Sequence, residues 1–299
     1  MSRLFILGAT GMLGATVARY AMARGRDVVM TARDLNRLPA DFRRCAIEFD
    51  AMTGDLDAVL READEGDLVV NCVGVIKHLM RDECAADRQR AIQINSLFPY
   101  TLAERASAVG ARVLQIATDC VYSGFRGGYG ESDPHDAIDV YGRSKSLGEV
   151  PSSSVMHLRA SIIGPEIDTA ISLQGWVLGH GPNEVLTGYA DHRWNGVTTL
   201  AFAKIALAIM DGAFVPGVSH LVPADLVTKA GLCQLILDAH GRDDVIVRTG
   251  QSAMAIDRTL RTENPTLNSG LWASAGYDRV PTIAEMVREA AIWELETTV

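Results

Sequence analysis

Short apolar, β-branched runs alternate with longer helical stretches through the first half of the chain, and this alternation limits the possible folds more than any other feature. Leu4 to Gly8, Asp27 to Thr31, Cys45 to Phe49, Leu68 to Val73, Arg112 to Ala117 and Val155 to Leu158 read as strands. Their apolar runs are continuous, the pattern of parallel strands buried on both faces. Met12 to Arg24, Asp55 to Ala63, Arg88 to Val109 and Val140 to Glu149 read as the intervening helices. Parallel strands joined through helices require right-handed crossovers, so the expected class is α/β, a doubly wound parallel sheet of the Rossmann type.

The pattern becomes irregular after Ser161, where Gly164-Pro165 and Gly179 to Pro182 mark loops. Helices are expected over Leu200 to Asp211 behind an N-cap at Thr198, over Thr228 to His240, and over Ile283 to Leu295. This part reads as a smaller α+β substrate lobe. The expected division gives residues 1–163 to a dinucleotide-binding domain, with 193–220 returning to it, and 164–192 and 221–299 to the lobe.

The first strand ends in Gly8-Ala-Thr10-Gly11-Met12-Leu13-Gly14, which opens the first helix. Glycines there permit a tight turn and let the backbone approach a pyrophosphate, whose charge then meets a helix N-terminus. Without a ligand the same glycines would serve a structural turn with close helix–sheet packing. The second strand runs into Arg33-Asp34. An arginine at that place suits the 2′-phosphate of NADP, whereas an acidic residue suits the ribose of NAD. Arg33 comes first and follows a small Ala32, so NADP(H) is favoured over NAD(H). Asp50 and Ala51, after the third strand, lie where an adenine edge would rest, and Cys72, Val73 and Gly74 end the fourth strand beside the cofactor path.

Tyr141 and Lys145 stand one helical turn apart in Tyr-Gly-Arg-Ser-Lys. Positions i and i+4 share a helix face, so the ammonium is expected to lower the phenol's pKa and ready it as a general acid for a carbonyl. Taken alone, the pair also reads as two surface residues on an ordinary helix.

The composition is that of an ordinary globular protein, with 48% hydrophobic and 22% charged residues. A net charge of -9 argues against nucleic acid as the partner. No apolar run is long enough to span a membrane. The N-terminus enters a strand pattern without a signal-peptide core. Five cysteines form no CxxC pair and no Cys/His cluster has ligand spacing, so reduced thiols in a cytoplasmic protein without a metal are expected.

Together these motifs resemble the extended short-chain dehydrogenase/reductases, and within them the dTDP-4-dehydrorhamnose reductase branch. The glycine spacing matches at Gly8, Gly11 and Gly14, and the Tyr-x-x-x-Lys signature at Tyr141 and Lys145. Thr118 in Ala-Thr-Asp-Cys-Val-Tyr matches the strand-end Ser/Thr, and Asn95 in Ile-Asn-Ser-Leu-Phe-Pro matches the buried asparagine. The resemblance implies hydride transfer from a nicotinamide to a ketone and a proton from Tyr141. Lys145 would tune Tyr141 and bind the nicotinamide ribose, Thr118 would orient the substrate oxygen, and Asn95 would hold a water or a backbone kink. By themselves Thr118 reads equally as a strand-end cap and Asn95 as a satisfied amide.

The resemblance also places Ile162 on the cofactor, and Thr118, Asp119, Cys120 and Val121 on the substrate. Cys120 stands where related dehydratases carry glutamate, which favours reduction of a nucleotide-sugar ketone over water elimination. Residues 191–199 and the stretch after the fourth strand depart from the branch pattern. Lys77, Arg193, Trp194 and Arg126 in and near them are candidates for nucleotide contacts. An epimerase of this fold, or a non-catalytic NADP-binding subunit like the regulatory subunit of methionine adenosyltransferase, stays open. A homodimer also stays open.

Overall fold

The computed structural model describes residues 2–167 and 170–297. Its first half runs β1 (Leu4–Leu7), α1 (Met12–Ala23), β2 (Val28–Ala32), β3 (Ala46–Glu48), α2 (Leu56–Val59), β4 (Leu68–Asn71), α3 (Ala85–Ala91), α4 (Phe98–Ala108), β5 (Arg112–Ala117), α5 (Val140–Leu147) and β6 (Val155–Arg159). The second half adds β7 (Ile162–Ile163), α6 (Leu173–Leu178), β8 (Val185–Tyr189), β9 (His192–Trp194), β10 (Val197–Thr198), α7 (Thr199–Ala208) and β11 (Gly217–His220). It closes with β12 (Val227–Thr228), α8 (Lys229–Ala239), β13 (Ile246–Gly250), β14 (Ile256–Asp257), α9 (Pro265–Ser274) and α10 (Ile283–Thr297).

Seven strands form one sheet in the order β11-β6-β5-β4-β1-β2-β3, and every pair in it is parallel. This is the doubly wound architecture that the continuous apolar runs require. Leu4 and Ile6 of β1 enter one core with α1 and α7, while Phe5 and Leu7 enter the other with α2 and α4. Each of these four side chains is at most 1% exposed, so each contributes about 1.5–3 kcal/mol by burial. The order reverses between β1 and β4, which opens a crevice at the carboxyl ends of the strands.

Two helices differ from expectation. The Asp55–Ala63 stretch yields only Leu56–Val59 as helix, capped by the Asp55 carboxylate on the Asp57 and Ala58 N–H groups. The Arg88–Val109 stretch begins earlier, at Ala85, and carries a π turn over Ile92–Leu97 between α3 and α4. Pro99, in the first turn of α4, explains the turn. It has no N–H to return to the Asn95 carbonyl, and its ring would clash with that oxygen in regular winding.

Beyond Ser161 the sequence pattern misses most of the strands. Small sheets form as β10-β7, β12-β9-β14 and β13-β8. Thr198 caps α7 through the Ala201 N–H, as its sequence position suggests, and α7 packs on α1 beneath the main sheet. Among the described residues no helix is long and apolar enough to cross a membrane.

Candidate active site

The Gly8–Gly14 turn lies at the crevice. Gly8 has φ +87, a region costly for any residue with a Cβ. A Cβ on Gly14 would lie 2.3 Å from the Gly8 carbonyl oxygen. The turn is tied to β2 by the Gly8 N–H donating to Thr31 Oγ1 at 3.1 Å. No side chain caps α1, so the N–H groups of its first turn, including Met12 and Leu13, face outward beside Thr10. A side-chain-free cradle at an uncapped helix N-terminus fits a pyrophosphate. At the end of β2, Arg33 is exposed, while Asp34 is occupied locally as acceptor of the Asn36 N–H at 2.9 Å. Asp50 likewise accepts from the Met52 N–H at 2.8 Å and leaves Ala51 partly exposed at the rim.

The segment after β4 is fastened to α5 from below. Asn95, 2% exposed in the π turn, accepts from the Val75 N–H and donates to the Val75 carbonyl, both at 2.9 Å. It also donates to Ser144 Oγ at 3.0 Å, so a single amide clamps the Cys72–Gly74 strand end to the helix carrying Tyr141 and Lys145. Lys77 adds an outer tie: its Nζ lies 2.7 Å from Asp139 Oδ2, and the other oxygen of Asp139 caps α5 through the Gly142 N–H. At the far end of α5, Glu149 forms a two-point ion pair with the buried Arg159, at 2.7 and 2.6 Å.

Thr118 ends β5 and caps the turn behind it through the Cys120 N–H, with Val121 fully buried below. This turn lies against α5, where a Cβ on Gly142 would come 2.1 Å from the Cys120 carbonyl oxygen, so Thr118 and Tyr141 stand on elements in direct contact. The electrostatics differ from expectation. Burial raises the Tyr141 phenol well above its ordinary value, reinforced by Cys120 and opposed by Thr118. Lys145 turns instead to the Ile116 carbonyl at 2.8 Å, and burial lowers its ammonium to about 8, against the pull of Glu149 and Cys72. The i, i+4 spacing puts the two residues on one face, but both titrations are set by desolvation. Burial also pushes the Cys72 and Cys120 thiols up to about 12.

The opposite wall comes from the second half of the chain. Trp194 is 3% exposed and donates its indole N–H to Ser161 Oγ at 2.7 Å, which makes it wall packing. Arg193, beside it, has an exposed side chain 3.8 Å from Asp257. Arg126 pairs with Asp133 and covers the Tyr129 ring. Ile162, in β7, is partly exposed and pairs with Val197. Sequence reasoning missed Lys229 and Arg258, whose charges act on Asp119 across the cleft. Lys229 follows a helix N-cap and Arg258 follows a two-residue strand, and neither place carries a motif.

A glycine cradle at the switch point of a doubly wound parallel sheet, with Thr118 and Tyr141 on neighbouring elements, defines an α/β protein of the Rossmann class. The chain belongs to the family described as the RmlD substrate binding domain, whose model matches residues 2–165. It is 26% identical over 297 residues to the dTDP-4-dehydrorhamnose reductase of Mycolicibacterium smegmatis, covering 96% of this chain and 84% of that one. Its fold is similar to the dTDP-4-dehydrorhamnose reductase of Bacillus anthracis in complex with NADP, with a TM-score of 0.73, 17% identity and coverage of 98% and 100%. MoeE5 in complex with UDP-glucose and NAD gives a TM-score of 0.74 at 16% identity, with both chains covered completely.

Proposed function

We propose that the protein is an NADPH-dependent reductase of the 4-keto group on a nucleotide-activated deoxy sugar. The observation that carries this is the close packing of α5, which bears Tyr141, on the turn that Thr118 caps, in a sheet whose first strand ends in the glycine cradle. Gly8, Thr10, Gly11, Met12, Leu13 and Gly14 would hold the pyrophosphate, Arg33 the 2′-phosphate, and Asp50 and Ala51 the adenine. Cys72, Val73, Gly74, Lys145 and Ile162 would flank the nicotinamide half, which supplies the hydride when bound. Arg33 is exposed and Asp34 is held by its own turn, which supports the phosphorylated cofactor. The reductases among the relatives support the substrate class.

Tyr141 delivers the proton to the ketone oxygen. Its raised pKa keeps that proton in place at neutral pH until negative charge develops on the substrate. Thr118 orients the same oxygen, and Asn95 keeps the segment after β4 in register with α5. Cys120, with its thiol protonated, offers no second carboxylate for water elimination, so reduction is favoured over dehydration.

Purified protein is expected to oxidise NADPH faster than NADH with a dTDP- or UDP-linked 4-keto-6-deoxyhexose. Net cofactor consumption separates a reductase from an epimerase. Tyr141→Phe is expected to lower kcat by about 10²–10⁴-fold while NADPH binding is unchanged. Full turnover by that variant overturns the mechanism.

A further inference from the structure

Lys229 has no part in the chemistry above, yet its ammonium lies over a residue of the opposite wall. Its Nζ stands 5.5 Å from the centroid of the Trp194 ring, and Trp194 is held in place by Ser161. Val227 and Thr228, just before it, pair with Trp194 and Arg193, so the lysine projects from a fixed corner of the second lobe. It is partly exposed. Among the described residues no hydrogen bond or ion pair engages its Nζ. It feels Asp119 and Cys120 across the cleft, and Cys233 one turn along its own helix.

Asp119 is the natural counterpart. One of its oxygens accepts from Thr118 Oγ1 at 3.2 Å, which puts the carboxyl immediately beside the hydroxyl assigned to the ketone. Arg258, the other cation acting on Asp119, is anchored by its Nε–H on the Tyr122 carbonyl at 2.9 Å. The Asp257 N–H likewise donates to the Gly124 carbonyl at 2.7 Å, and β14 and β12 both pair with β9, so the corner carrying Lys229 is laid against the segment that carries Asp119, and among the described residues no hydrogen bond or ion pair joins the two side chains. A phosphate or carboxylate between them would be attracted by the lysine and repelled by the aspartate. A hydroxyl satisfies both, donating to the carboxyl and accepting from the ammonium.

We propose that Lys229 and Asp119 together bind a ring hydroxyl of the sugar next to the carbonyl held by Thr118 and Tyr141, which makes Lys229 a specificity-determining residue. This rests on the nucleotide-sugar reading and deepens it: the substrate keeps a free hydroxyl beside its ketone, and the second lobe reads it.

The test is calorimetric binding of dTDP-glucose and UDP-glucose, and of dTDP and UDP alone, to wild type and to Lys229→Met, which retains the stem over Trp194. The expected result is a loss of about 10- to 100-fold in affinity for the hexose-bearing nucleotides, the range of a hydrogen bond to a charged group, with the bare nucleotides unchanged. Equal losses for both kinds of ligand would make Lys229 a phosphate contact and overturn the proposal. Unchanged binding of both would reduce it to packing on Trp194, again overturning it while leaving the reductase reading intact. If wild type binds none of the four, the nucleotide-sugar reading fails and this proposal with it. Lys229→Gln is read the same way should the methionine variant not fold, with the melting temperature as control.

Discussion

The two walls of the cleft are built differently. On the first wall, Asn95, Ser144, Glu149 and Arg159 are joined by buried hydrogen bonds that fasten α5 at several points. On the facing wall, Arg193, Lys229 and Arg258 sit on or beside strands of two or three residues, and Arg193 points into solvent. A proton must pass between atoms held within a few tenths of an ångström, which calls for the over-determined wall. Recognition tolerates looser geometry, so the second wall can vary its side chains without disturbing the first.

Removing the central clamp tests this contrast most severely. Asn95→Ala leaves the Val75 N–H and carbonyl without partners in the interior, and a loss of about 2–4 kcal/mol is expected in urea or guanidinium unfolding. A loss under 1 kcal/mol would mean the first wall is no better fastened than the second.

A smaller effect follows from Lys145, through pH. Its folded value of about 8 lies below the ordinary 10.5. Below pH 8 the ammonium is present in both states, and its burial cost is carried by the folded one. Between about 8 and 10.5 the unfolded chain holds the proton and the folded chain releases it, so stability rises with pH there. Unfolding of wild type and Lys145→Met at pH 7.5 and pH 10 is expected to show wild type gaining relative to the variant. A gap that stays constant or moves the other way removes the case for a desolvated lysine.

The smallest expected effect belongs to the loose wall. Arg193→Ala, at a side chain 58% exposed with its carboxylate 3.8 Å away, should change stability by no more than about 0.5 kcal/mol. A change above 1 kcal/mol in the same assay would show that the second wall is braced after all.

The same contrast explains what could be read in advance. β1, β4, β5 and β6 were legible because strands covered on both faces leave unbroken apolar runs, and Gly8, Tyr141 and Lys145 because their spacing encodes backbone geometry. β13, with mostly exposed residues, has no apolar pattern to reveal it. Lys229 is placed by Trp194, across strand pairings set by tertiary closure rather than by any local signal. Spacing placed Tyr141 and Lys145 on one face but was silent on desolvation, so the direction of the phenol's shift was misjudged.

The π turn ties distant positions together. With Pro99 displacing the Asn95 carbonyl, that oxygen comes to lie where a Cβ on residue 148 would be only 1.9 Å away, so Gly148 tolerates no larger residue while the turn persists. Deleting one residue between 92 and 97 would restore regular winding with α3 and α4 kept in phase, and would remove the wide turn that presents Asn95 to Val75. Drift at residue 148 is thus barred for as long as a turn in another helix is kept.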